Sequence, residues 1–198
     1  MNIMITILLL SVCLLLGFIN LKRQLYQRKL EKLANLDTLT GLLTRRKILE
    51  ELDEQLTEHA RTDSPLAVAM LDLDLFKYIN DTYGHQVGDE VLVQFSKIAK
   101  SAFYPADILG RIGGEEFLFI FPDTTAEQAL KTLNSFRSKV RQVPDSLSVS
   151  GLSVSVSVGL IEVTRGDVAA DILGKTDKAL YQAKVGGRDR VATPFVAC

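Results

Sequence analysis

Two adjacent glutamates, Glu115 and Glu116, follow the pair Gly113 and Gly114 between two apolar stretches. Upstream, Met70-Leu-Asp-Leu-Asp-Leu-Phe-Lys77 sets Asp72 and Asp74 where a hydrophobic run ends. Residues two apart on a strand face one way, so the two aspartates are expected to emerge together as a perch for a hard cation with oxygen ligands. An aspartate at a strand end more often just caps the next helix, and the glutamate pair is what shifts the balance. Like charges side by side are costly unless something positive sits between or beside them. Glycines in front of them leave backbone that a bulky ligand can approach closely. A hairpin stacked beside the strand ending at Asp72 brings these carboxylates onto one or two Mg2+ ions, which polarise a phosphate and lower the pKa of an attacking hydroxyl.

The elements that must place these groups follow from hydrophobic spacing. Leu66 to Leu73 reads as a fully buried strand, and 107–112 and 117–121 as short strands joined by the Gly113-Gly114 turn. Leu152 to Val163 alternates valines with serines, which predicts a strand with one face buried. Helices are expected over 45–59, 87–103, 125–143 and 167–185, with a last short strand over 190–193. Strands interleaved with helices imply an α/β (α+β) fold with a central mixed five-stranded sheet, a β-hairpin within it and helices around it.

The first 21 residues carry no charged side chain, and Ile3 to Ile19 is apolar apart from Thr6, Ser11 and Gly17. About 20 helical residues span a hydrocarbon slab of about 30 Å, so residues 1–21 are expected to form one transmembrane anchor. No basic stretch precedes the run and no small-residue cleavage site follows it, which disfavours a signal peptide. Lys22, Arg23, Arg28, Lys29 and Lys32 come next, which by the positive-inside rule places the remainder in the cytoplasm at the inner membrane. Residues 22–36 are expected to form a linker helix, with Leu25, Leu30, Leu33 and Leu36 as an interrupted apolar stripe suited to weak self-pairing. One domain then occupies 37–198. The net charge of −1 supplies no basic groove, so a nucleic-acid polymer is not an expected partner. The two cysteines, Cys13 and Cys198, suggest neither a disulfide framework nor a zinc cage.

Four ordered motifs carry a family resemblance. Arg111-Ile-Gly-Gly-Glu-Glu-Phe117, Asp72-Leu-Asp-Leu-Phe-Lys-Tyr-Ile-Asn-Asp-Thr-Tyr-Gly-His85 and Gly88-Asp89 closely resemble the GGDEF family of diguanylate cyclases, here in a GGEEF variant. Leu36-Asp-Thr-Leu-Thr-Gly-Leu-Leu43 is similar to the family's opening motif and Ala179-Leu-Tyr-Gln-Ala-Lys-Val-Gly-Gly-Arg188 to its closing one. The resemblance implies a fold like that of nucleotidyl cyclases and polymerase palms. It implies condensation of two GTP molecules into cyclic di-GMP, with loss of two pyrophosphates, across a homodimer.

Residue by residue, the resemblance assigns Asp72, the Leu73 carbonyl and Glu115, with Glu116 nearby, to Mg2+ or Mn2+, up to two ions per site. Glu115 is also implied as acceptor of the 3′-hydroxyl proton. Asn80 and Asp89 are implied as guanine readers, an ionised Asp being the right acceptor for adjacent N–H donors. His85 matches a substrate-site histidine, with a structural role beside a helix as the alternative. Lys77, Lys184 and Arg188 are implied to face phosphates, and Gly113 and Gly114 to admit the nucleotide; any one of these cations taken alone reads equally as a solvated surface group.

Two departures stand out. Many family members carry Arg-x-x-Asp, a product-inhibition site, where this chain has Tyr104-Pro-Ala-Asp107; a tyrosine cannot fork onto phosphate, so feedback through that site is expected to be weak or absent. Thr44 and Asp189 stand where the family often shows Asn. The rival reading is a catalytically silent GTP- or cyclic di-GMP-binding dimerisation module, disfavoured because Asp72, Gly113, Gly114, Glu115 and Glu116 are all intact.

Overall fold

The computed structural model describes residues 13–23 and 35–194, so residues 1–12 of the expected anchor and most of the expected linker helix lie outside the described residues. Residues 13–23 are helical, and Leu14, Leu15, Leu16, Phe18, Ile19 and Leu21 on that helix are exposed. Among the described residues no helix is long and apolar enough to cross a membrane. The chain divides into one unit over Met1–Leu36 and a second over Asp37–Cys198.

The elements of the second unit run α1 (Arg45–Thr62), β1 (Leu66–Leu73), α2 (Phe76–Tyr83), α3 (His85–Ala102), β2 (Ile108–Arg111), β3 (Glu116–Pro122), α4 (Ala126–Val140), α5 (Val143–Leu147), β4 (Val156–Glu162), α6 (Ala169–Val185) and β5 (Val191–Ala192). The strands form one mixed sheet in the order β2-β3-β1-β4-β5. Only the β4/β5 pair is parallel; β2/β3, β3/β1 and β1/β4 are antiparallel. The mixed five-stranded sheet expected from the sequence is therefore present.

Period-2 alternation divides the core between the two faces. On one side Ala67, Ala69, Leu71 and Leu73 of β1 join Phe117, Phe119 and Phe121 of β3 under α2, α3 and α4. Phe95, Phe103 and Phe136 stack among those phenylalanines, with ring centroids 4.5–6.0 Å apart. On the other side Leu66, Val68 and Met70 meet Leu118 and Ile120, covered by Ile48 and Leu52 of α1 and by Ile172 and Leu180 of α6. Helix α6 lies very close to the sheet at Gly159, where a Cβ would stand 2.2 Å from the Thr176 carbonyl oxygen. Glycine is needed there for clearance between backbones.

Four expectations are corrected. A separate helix, α2, precedes α3, the two being divided by Gly84 at φ 86°, which breaks a helical run at small cost only in glycine. The helix expected over 125–143 ends at Val140, and Val143-Pro144 opens the short α5. Strand β4 is buried on both faces from Val156 to Ile161, whereas half burial was expected. Ser157 is fully buried there because its hydroxyl donates to Asp74 at 2.6 Å. Strand β1 covers the expected residues, but β2, β4 and β5 are shorter than expected by a residue or more at each end, and β3 gains Glu116 and Pro122.

Candidate active site

The hairpin joining β2 to β3 is held by polar contacts to its backbone. Glu116 O accepts from Ile112 N at 2.9 Å and from Gly113 N at 3.2 Å, and Leu73 N donates to Glu115 O at 3.2 Å. The hairpin is thereby tied to the end of β1. Arg111 then spans the loop: its Nε donates to the Gly113 and Gly114 carbonyls at 3.1 Å each, its Nη2 to Gly114 O at 2.7 Å and its Nη1 to Asp37 at 3.1 Å. Arg45 adds a bond to Ile112 O at 3.0 Å. Asp37 also accepts from the N–H and hydroxyl of Thr40, at 2.9 and 2.6 Å. Burial alone would raise the Asp37 pKa, but Thr40 and the Arg111 guanidinium together hold it below the usual carboxylate range. Sequence reasoning missed the roles of Asp37, Arg45 and Arg111; the one signal for the first and last of them is that they fall inside motifs.

Neither Gly113 nor Gly114 has a positive φ, so the pair is not the primed two-residue turn that its sequence suggested. The connection is the four residues 112–115. A Cβ on Gly113 would lie 2.3 Å from Glu116 Oε2, whereas nothing lies within 4 Å of one on Gly114. Gly113 thus makes room for a glutamate, and Gly114 leaves open space beside the loop.

In the β1/β3 register Asp72 lies opposite Glu116, and both share parity with Met70 and Leu118, on the face that α6 covers. From α6, Lys184 Nζ reaches Asp72 Oδ2 at 2.8 Å. Burial pushes the Asp72 carboxyl up; Lys184 opposes that shift, and the charges of Glu115 and Glu116 add to it. Lys184 thus pairs with one carboxylate, Asp72, which also feels the charge of two more. Among the described residues no group of three His, Cys, Asp or Glu side chains is gathered closely enough to hold a metal. The donors nonetheless fit a hard divalent cation: they are all oxygen, and an excess of negative charge collects at the end of β1.

Asp74 does not join Asp72, contrary to expectation. β1 ends at Leu73 and Leu75 turns into the left-handed region at φ 55°, so the alternation on which the pairing rested stops short of Asp74. Buried, Asp74 accepts from Ser155 at 2.7 Å, from Ser157 at 2.6 Å and from the N–H of Asp189 at 3.1 Å. It ties the β1/α2 turn to β4 and to the loop after α6.

That turn leads into the α2/α3 elbow, which carries the expected base readers. Asn80 packs on Gly88, where a Cβ would lie 1.9 Å from Asn80 Oδ1, so buried Gly88 is what lets Asn80 stand beside the turn of helix bearing Asp89. Asp89 itself, His85 at the first turn of α3 and Lys77 at the first turn of α2 are exposed. Lys184 and Arg188 line different cavities. A cavity of about 450 Å³ runs along Glu116, Lys184 and the Asp177 to Gln182 stretch of α6. One of about 390 Å³ lies among Asp74, Leu75, Tyr78, Tyr83 and Arg188. In the stretch Tyr104 to Asp107, Tyr104 is exposed and its N–H donates to Asp107 at 2.8 Å, closing a tight turn.

Comparison with known proteins draws these motifs together. The profile of the family described as "Diguanylate cyclase, GGDEF domain" matches residues 34–190. The response regulator PleD of Caulobacter vibrioides is 37% identical over 163 residues, 81% of this chain and 36% of PleD. A diguanylate cyclase of Vibrio cholerae is 35% identical over 173 residues, 87% of this chain and 52% of that protein. The chain thus spans between about a third and a half of the length of these two relatives. Among solved structures, the coiled coil and GGDEF domain of DgcB from Caulobacter crescentus, in complex with c-di-GMP, superposes with a TM-score of 0.82 at 30% identity, over 93% of this chain and 98% of that one. The active GGEEF domain of a Vibrio cholerae diguanylate cyclase gives 0.72 at 31% identity, over 79% and 99%. On its sequence motifs, its sheet and these relatives, the chain belongs to the GGDEF family of diguanylate cyclase domains.

Proposed function

We propose that the chain is a diguanylate cyclase, joining two GTP molecules into cyclic di-GMP as an inner-membrane homodimer with its catalytic domain in the cytoplasm. The observation that carries this is the placement of Asp72 opposite Glu116 at the end of β1, under Lys184, beside a loop whose Gly114 is open. Asp72, the Leu73 carbonyl, Glu115 and Glu116 would hold Mg2+ or Mn2+, which when bound supplies Lewis-acid polarisation of phosphate oxygens. The protein's own groups do the rest. Asn80 and Asp89 orient the guanine, and Gly113 and Gly114 let the nucleotide lie against the hairpin. Lys184, which balances Asp72 in the free domain, turns with Lys77 and Arg188 to the triphosphate and offsets charge that builds up during transfer.

The 3′-oxygen of one GTP bonds to the α-phosphorus of the other, the bond from that phosphorus to the bridging oxygen breaks, and pyrophosphate leaves. Glu115 takes the 3′-hydroxyl proton. The same step in the opposite sense closes the ring. One hairpin presents one GTP, so two copies related by a two-fold axis are required.

The uncharged run before Lys22, the uncovered apolar side chains on the helix over 13–23, and the basic cluster that follows support the anchor. Recovery of the full chain in the soluble fraction after gentle lysis would overturn it. For the activity, incubation of the full chain with GTP and Mg2+ is expected to yield cyclic di-GMP, identified by mass, and Glu115→Ala to lower turnover at least about 100-fold. Full turnover by Glu115→Ala would refute the assignment of the metal site, and a folded, dimeric protein that makes no product would refute the enzyme.

A further inference from the structure

Asp189 has no part in the reaction above, yet it is the most heavily tied residue of the loop that carries Arg188. Beyond α6 the chain passes through Gly187, Arg188 and Asp189 at φ 110°, 62° and 46°. Three successive residues in the left-handed region, two of them bearing a Cβ, form a backbone that a free peptide avoids, so contacts from outside the loop must hold it.

Those contacts converge on Asp189. Its carboxylate accepts from Arg137 at 2.6 Å and from Arg141, and Arg137 donates as well to the Asp189 carbonyl at 2.8 Å. From the other side its N–H donates to Asp74, whose carboxylate is already fixed by Ser155 and Ser157. The side chains of Arg137 and Asp189 are only 19% and 21% exposed, so this pair is better shielded than an ordinary surface ion pair. Arg188 sits between these anchors. Its N–H is bound by Ala183 O at 3.0 Å and its carbonyl by Arg190 Nε at 3.1 Å, while its side chain is exposed. The backbone on both sides of Arg188 is thus restrained, and its guanidinium is left for a ligand. A binding group carried on an ordered backbone loses less entropy when it engages than one on a loose loop.

We propose that Asp189 is a positioning residue: gripped between Arg137 and Arg141 of α4 and Asp74 of the β1/α2 turn, it fixes the backbone from which Arg188 reaches the triphosphate. The inference rests on the reading of Arg188 as a phosphate ligand. Its effect is selective, since it bears on the phosphate tail and leaves recognition of guanine alone.

The test compares binding of GMP with that of a GTP analogue carrying a methylene bridge between its α- and β-phosphates, measured by calorimetry on the purified full chain with Mg2+. Asp189→Asn is expected to weaken the triphosphate about tenfold, the scale of one charge-assisted hydrogen bond, and to leave GMP unchanged. In an Arg188→Ala background the same substitution should add nothing. Equal weakening of both nucleotides, an additive loss in the Arg188→Ala background, or no change in either would overturn the proposal. Should Asp189→Asn fail to fold, Arg141→Ala, at an exposed position, answers the same question with an expected loss of about two- to fivefold confined to the triphosphate. A parent chain that binds neither nucleotide overturns the diguanylate cyclase reading and this inference with it; a parent that binds both, with Asp189→Asn indistinguishable from it, overturns this inference alone.

Discussion

Asp37 shows how much of the hairpin's geometry depends on a residue outside the hairpin. Its carboxylate joins Thr40 to Arg111, which in turn holds the Gly113 and Gly114 carbonyls. Because its folded pKa is depressed, its contribution to stability is present above the unfolded value and is lost as pH falls through the folded one. Asp37→Asn should therefore cost about 1–2 kcal/mol at pH 7, the penalty for charge-assisted hydrogen bonds, and nothing once the pH is below the folded pKa. Urea melts of both proteins at pH 7 and at low pH check this, and a difference that persists undiminished in acid would contradict it. At this scale the sequence reveals carboxylates standing at the ends of apolar runs, so Asp72, Glu115 and Glu116 are legible. Asp74 is not, because the turn at Leu75 is a backbone event that alternation does not report. The Lys184–Asp72 pair joins residues far apart in the chain, and no local pattern announces such a partner.

Among the elements, the strands are the most legible, since β1 and β3 are continuous apolar runs, while α2 escapes because eight residues offer too few turns for a period to show. The serines in and before β4 look solvent-facing in the sequence, and it takes the buried Asp74 to explain why Ser157 is inside. Two glycine substitutions separate positioning from packing. Gly159→Ala forces backbone against backbone between β4 and α6 and should destabilise the domain by about 3 kcal/mol in thermal or urea melts. Gly114→Ala meets nothing within 4 Å, so the melt should be unchanged while turnover falls about tenfold or more if the nucleotide lies over the loop. Unaltered turnover in Gly114→Ala would remove the nucleotide from that face of the hairpin.

For the whole molecule, the order of strands sets which parts yield first. The mixed sheet and its layers of helices can be read from alternating element types, but the position of β1 at the centre cannot, because pairing order is a tertiary choice among several compatible with the same pattern. Tyr104-Pro-Ala-Asp107 forms a closed turn at the approach to edge strand β2, and without its arginine the chain should show little noncompetitive inhibition when cyclic di-GMP is titrated under turnover. Strong inhibition abolished by Asp107→Ala would refute that. The central strand has one more consequence. Paired along both edges and sealed on both faces, β1 has amides that can trade hydrogen for deuterium only when the entire domain opens, whereas residues 112–115, although held by Arg45, Arg111 and Leu73, lie outside the paired strands and can open locally. Isotope uptake should therefore be slowest at Leu66 to Leu73 and faster at the neighbouring loop, so that a bound nucleotide registers as slowing at the loop and the α2/α3 elbow, on a central strand already as quiet as the fold allows.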